Sequence, residues 1–136
     1  MSKSTRFSMA VHLMTALAHL KQQTSSELLA GSVNTNPVVV RRLLGSLNRA
    51  GLIKAERGIA GGFSLARSPE DISLFDIYRA VLDENELVSL HDNPENRVCP
   101  VSCKVRSILA RYLNKAQNTY ERELEKVMLA DIEKGV

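Results

Sequence analysis

Cys99 and Cys103 are the two thiols of this sequence, four residues apart in "CPVSC". Thiolate is the reactive form of cysteine, and a helix N-terminus or a nearby cation favours it. Pro100 suits the first turn of a helix, so Cys99 falls at its start with Lys104 and Arg106 close by. The pattern points to a redox switch at Cys99 and Cys103, in which a disulfide could close only if that first turn unwinds. The plainer alternative is a pair of half-buried structural thiols. A zinc site from Cys99, Cys103 and His91 would lack a fourth ligand, so no metal is expected. His12 and His19, seven residues apart, read as packing or solvent-facing. No GxSxG, HExxH or phosphate-binding loop occurs, and no local pattern pairs a nucleophile with a base. The chain is not expected to be an enzyme.

The second chemistry is recognition of a polyanion. "ERGIAGGFSLAR", residues 56–67, holds three of the seven glycines within five positions, directly after an arginine. Glycine permits positive φ and a close approach of backbone to a partner. Arg57 at the base of such a tip could enter a narrow minor groove, where negative potential is strongest. Lys54 lies on the nearer strand, and Gly58, Gly61 and Gly62 form the tip. Upstream, "NTNPVVVRR" offers Asn34, Thr35, Asn36, Val38, Val39, Arg41 and Arg42. At the N-terminal part of a helix these are groups that reach base edges: arginine grips guanine, and valine touches a thymine methyl. Whether the arginines meet bases or phosphates stays open.

These residues need elements to position them. A first helix is expected over about 4–20, with Phe7, Ala10, Val11, Met14, Leu17 and Ala18 on one face. Thr24 and Glu27 fit a capping box for a short helix over about 25–30. "GSVNTN" reads as a turn. Asn36 would cap a third helix that opens at Pro37 and stops at Gly51, with Leu43, Leu44 and Leu47 facing the core. "LIKAER" and "FSLAR" read as two strands joined by "GIAGG". Ser73 with Asp76 starts a fourth helix carrying Leu74, Ile77, Tyr78 and Val81. A long helix is expected from about Pro100 to Ala130. Its apolar stripe at 101, 105, 108, 109, 112, 113, 116, 120, 124 and 127 is too long for one small domain to cover. Val105, Ile108, Leu109, Tyr112, Leu113, Ala116 and Tyr120 are therefore expected to form a dimer face.

Composition agrees. The 136 residues suit a single domain with an appended helix, and 44% hydrophobic against 24% charged allows a real core. With 4% aromatics and no Trp, an aromatic platform for single strands is not expected. Residues 1–67 carry nine Lys/Arg against two Asp/Glu, and residues 68–136 carry nine against thirteen. A basic half beside an acidic half suggests an anionic partner for the first. The N-terminal segment has a helical stripe, not a signal-peptide block, and no run approaches the roughly 18 apolar residues of a membrane span. Two close cysteines make no disulfide framework, so a cytoplasmic protein is expected, without a membrane partner.

Helix, short helix, turn, helix and hairpin is the order of a winged helix-turn-helix. The expected fold class is therefore mainly α with a small β-hairpin wing, plus a long C-terminal dimerisation helix. The domains would be a DNA-binding unit over 1–82, a cysteine-containing sensor-like loop over 83–103, and a dimerisation helix with its tail over 104–136. "LLGSLNRAGLIKAERGIAGGFSLARSPEDISLFDIYRAV" resembles the Rrf-two family of bacterial winged-helix transcriptional regulators, and the likeness extends over nearly the whole chain. The resemblance implies a homodimer built on the long helix that binds a palindromic operator in double-stranded DNA, often as a repressor. It places Arg57 as the wing arginine, Arg41 and Arg42 where bases are read, and Lys3, Ser4 and Arg6 near phosphates. Many members hold an iron–sulfur cluster on three loop cysteines. This chain has two, which His91, Asp92 or a partner residue would have to complete, so no cofactor is expected. The competing readings are a winged helix used for protein contacts and an iron–sulfur-dependent regulator.

Overall fold

The computed structural model describes residues 3–82 and 87–136. Helix α1 (Lys3–Leu20) leads to α2 (Ser26–Val33) and α3 (Pro37–Arg49). A hairpin of β1 (Ile53–Glu56) and β2 (Gly62–Leu65) follows, then a 3₁₀ turn (Pro69–Asp71) and α4 (Leu74–Val81). The chain ends with α5 (Pro100–Glu125) and α6 (Leu129–Glu133). The expected mainly helical architecture with a two-stranded wing is what forms.

One core joins the elements. From α1 it takes Ala10, Leu13, Met14, Leu17 and Ala18, from α3 Val40, Leu43, Leu44 and Leu47, and from α4 Ile77, Tyr78 and Val81. These follow the three-to-four spacing that turns one stripe of a helix inward. Leu13 joins the α1 stripe although the sequence reading left it out, while Phe7 and Val11 are half-buried beside it. Tyr78 meets Phe7 edge-on at 5.5 Å and Tyr120 at 5.7 Å, so α1, α4 and α5 share an aromatic cluster.

Three expected boundaries shift. The cap of α2 is Ser25, not Thr24: the Ser25 hydroxyl accepts from the Leu28 N–H at 3.2 Å. Thr24 cannot serve because its backbone is extended against β2, exchanging two 2.9 Å hydrogen bonds with Phe63. Helix α2 also runs to Val33, past Ala30, until Asn34 turns left-handed at φ 61°. The α4 cap forms as expected: Ser73 Oγ accepts from the Asp76 N–H, and Asp76 accepts from the Ser73 N–H, both at 3.0 Å.

The long helix ends at Glu125, five residues short of the expected Ala130. Beyond it the Leu74 N–H donates to Val127 O at 2.8 Å and the Leu129 N–H to Ile72 O at 2.7 Å. This short pairing beside Ser73 and Met128 opens the helical ladder and drives Leu129 into the core. Helix α6 then packs against α1. No helix among the described residues is long and apolar enough to cross a membrane.

Candidate nucleic-acid interface

Helix α3 begins after a tight turn. The left-handed Asn34 donates its N–H to Ala30 O at 2.8 Å, which closes α2. The Asn36 side chain accepts from the Val38 N–H at 2.8 Å, and Pro37 takes the first helical position. Asn34 therefore belongs to the end of α2, while Asn36 opens α3. With Val40, Leu43, Leu44 and Leu47 buried, the periodicity of the helix leaves Val38, Arg41 and Arg42 exposed. Thr35 and Val39 are half-buried, and Val39 packs against the core. Two arginines and a valine thus stand on the outer face of a helix whose inner face is fixed.

The wing is anchored at its root. Its strands pair antiparallel, with Ile53 opposite Leu65, Lys54 opposite Ser64, Ala55 opposite Phe63 and Glu56 opposite Gly62. Ile53 is buried, while Lys54, Ala55 and Glu56 are exposed. Phe63 bonds on its other edge to Thr24, a single bridge that ties the segment before α2 to the wing root. Gly62 lies at φ 153°, and a Cβ there would stand 2.7 Å from Thr24 O. A Cβ on Gly61 would collide with the Glu56 carbonyl. These two glycines are required by close backbone packing, whereas Gly58 at φ 105° is required by its conformation in otherwise open space. Arg57 is exposed beside them. Lys3 and Ser4 open α1, and Arg6 is half-buried one turn on.

The cysteines sit at the start of α5. Cys99 is the N-cap residue, with Pro100 in the first turn. Cys99 is half-buried and Cys103 exposed, and both are free thiols. The Cys103 N–H donates to Cys99 O at 3.2 Å, so the first turn is closed. The Cys103 thiol points back to the carbonyls of Asn96 at 3.5 Å and Arg97 at 3.7 Å. Ser102 Oγ accepts from the Asn96 N–H at 2.7 Å, and Arg106 donates to Asn93 O at 2.7 Å. The loop before the helix is thereby folded onto its first two turns. His91 is exposed and accepts from the Asn93 N–H at 3.3 Å. Residues 83–86, the beginning of the expected sensor-like loop, lie outside the described residues.

Of the expected dimer face, Val105, Ile108, Leu109 and Tyr112 are exposed, joined by Val101. Leu113 is half-buried and Ala116 exposed, and both line a small cavity with Leu87, Val88 and Leu90. Tyr120 is half-buried against Tyr78 of its own chain. The sequence reading missed the bond between Thr24 and Phe63. Its available signal was the run "TSSE", which supplies one residue to pair and another to cap.

The chain matches the family model Rrf2, described as iron-dependent transcriptional regulators, over residues 3–135. It is 40% identical over 129 residues to YwnA of Bacillus subtilis strain 168, assigned by name to the HTH-type transcriptional regulators, with 95% of each chain covered. A solved structure described as a DNA-binding protein shares 37% identity at a TM-score of 0.74, covering 93% of this chain and 97% of that one. IscR of T. potens shares 26% identity at a TM-score of 0.68, covering 96% and 85%. The family description names iron. Two thiols stand one helical turn apart, and among the described residues no three Cys, His, Asp or Glu side chains gather around a common point. The relatives are regulators and not enzymes, and the wing, its root and the capped α3 are the parts of a DNA-binding winged helix. The chain belongs to the Rrf2 family of transcriptional regulators.

Proposed function

We propose that this chain acts as a homodimer that binds a palindromic operator and represses transcription, with oxidation of Cys99 and Cys103 as a modulating input. The observation that carries the reading is the two-sided α3: four apolar residues are locked in the core, while Arg41 and Arg42 stand outside beside an anchored wing. Asn36, Val38, Arg41 and Arg42 would meet the major groove, Arg57 and the glycine tip the minor groove, and Lys54 with the start of α1 the phosphates. The exposed Val101, Val105, Ile108, Leu109 and Tyr112 support pairing of two α5 helices. A two-fold dimer would set its recognition helices on half-sites about one DNA turn apart. The cysteines sit where the loop meets that helix, so a change there would be felt at the dimer face. No bound cofactor is part of this proposal.

The test is fluorescence anisotropy of the full chain on its own upstream DNA, with thiols reduced and then mildly oxidised. Specific binding that weakens steeply with salt is expected, together with a difference between the two redox states. Equal binding in both states would remove the thiol input and keep the regulator. Binding without salt dependence, or none, would favour a winged helix used for protein contacts. Derepression of a promoter fusion when the gene is deleted checks the sign.

A further inference from the structure

Ile59, at the apex of the wing, is the most exposed of the large apolar side chains described, at 109% relative accessibility. It sits in a hydrogen-bonded turn. The Gly61 N–H donates to Gly58 O at 3.0 Å, which closes a four-residue turn with Ile59 and Ala60 at its centre. The Glu56 carbonyl leaves no room for a side chain at Gly61, and the Thr24 backbone leaves none at Gly62. The turn is closed by that hydrogen bond and stands on a root that is itself bonded to the segment before α2. Such a turn has no need of isoleucine, because its central positions favour Pro, Asn, Asp, Ser or Gly. Arg57 and Lys54 precede the apex with the exposed Glu56 between them, and the residues from Arg57 to Pro69 carry two arginines and no acidic group.

We propose that Ile59 is the apolar minor-groove contact of the wing and selects A·T pairs beneath it. The inference rests on the DNA-binding reading above and adds a residue and a base preference to it. Arginine supplies the charge that brings the tip to the groove. Apolar side chains such as Leu and Ile enter the minor groove of DNA bound by other proteins, where they wedge against the bases. The floor of that groove decides the preference. An A·T pair presents acceptors and the apolar C2–H edge of adenine, whereas a G·C pair adds the guanine amine. That amine projects into the space the isoleucine would fill, and an alkyl group cannot accept its hydrogen bond.

The experiment uses the full chain and a fluorescent duplex selected by it from a random pool. The pairs under the wing are those whose sugars wild type protects from hydroxyl radicals and Arg57→Ala, at saturating concentration, does not. Each is then set to A·T, G·C or inosine·C, the last having the major-groove edge of G·C without the minor-groove amine. Wild type is expected to bind the inosine duplex like the A·T duplex and the G·C duplex more weakly. Ile59→Ser is expected to weaken binding to the A·T duplex about tenfold, from the lost burial of one isoleucine, and to narrow the G·C penalty. Ile59→Val should recover most of the affinity. Thermal melting should not change, because the side chain is fully exposed in the free protein. Binding by Ile59→Ser within about twofold of wild type, or a G·C penalty left intact, overturns the inference. If Arg57→Ala weakens binding while Ile59→Ser does not, the DNA reading survives and this inference fails. If wild type selects no duplex at all, both fall.

Discussion

Helices α3 and α5 are both amphipathic, yet the chain completes one and leaves the other open. In α3 every strongly apolar position except Val38 and the half-buried Val39 is buried, within 13 residues. In α5 none of 26 residues is fully buried, and Val101, Val105, Ile108, Leu109 and Tyr112 remain exposed. Only the last turns of α5 engage the core, through Tyr120 and Leu124. The difference separates two roles that look alike as periodic patterns. A helix covered on its apolar side by its own domain can present its polar side with a fixed geometry. A helix left uncovered has its apolar side available for a second chain.

The sharpest way to break the comparison is to injure the covered helix. Leu44→Ala should cost about 2–5 kcal/mol of stability, because it leaves a cavity in a packed core. Urea denaturation would measure this, and a loss below about 0.5 kcal/mol, the range of ordinary surface changes, would contradict the packing described. The matching change on the open helix is Ile108→Asp. It should leave the fold in place, convert dimer to monomer in sedimentation, and lower operator affinity about a hundredfold by removing the linked second half-site. A dimer that survives this change would place the interface elsewhere.

The outer face of α3 comes next. Arg41→Ala should weaken operator binding by about 1–3 kcal/mol with an unchanged melting temperature. Loss of discrimination at one base pair would assign Arg41 to a base, and a uniform loss across sequences would assign it to a phosphate. Ser73→Ala should cost about 1 kcal/mol by removing the α4 cap, read from chemical denaturation.

The smallest effect tests the joint between α5 and the core. Burial, with Tyr78 beside it, raises the pKa of the Tyr120 phenol above its ordinary value. The folded state therefore holds that proton more tightly than the unfolded chain. The associated stability is complete below about pH 10, the ordinary tyrosine value, and is lost as pH rises through the raised folded value. Tyr120→Phe should flatten the alkaline part of the stability curve. An unaltered curve would mean that Tyr120 ionises as freely in the fold as outside it.

Much of this architecture is legible before folding. Asn36–Pro37 and Ser73 with Asp76 mark two helix starts because their side chains satisfy backbone N–H groups a few residues away. Leu43, Leu44 and Leu47 announce a buried face through spacing alone. Arg57 with Gly58 marks a tip, since conformational freedom is a property of the residue itself. Local chemistry of this kind acts within one turn of chain, so the sequence determined it.

Tertiary structure decided what depends on distant partners. Thr24 looked like a cap and became a bridge residue because Phe63, far along the chain, offered its backbone edge. The helix read through Ala130 stopped at Glu125 because Ile72 and Leu74 bonded the residues beyond it. Tyr120 belonged to the same stripe as Ile108 and Leu109, but Tyr78 covered one and not the others. A stripe specifies that a face is apolar, and the neighbour that buries it is set only when the chain closes on itself. The sequence by itself determined where helices begin, which faces are oily and where the wing turns. The fold decided which backbone edges pair, where α5 stops and which oily face is left uncovered.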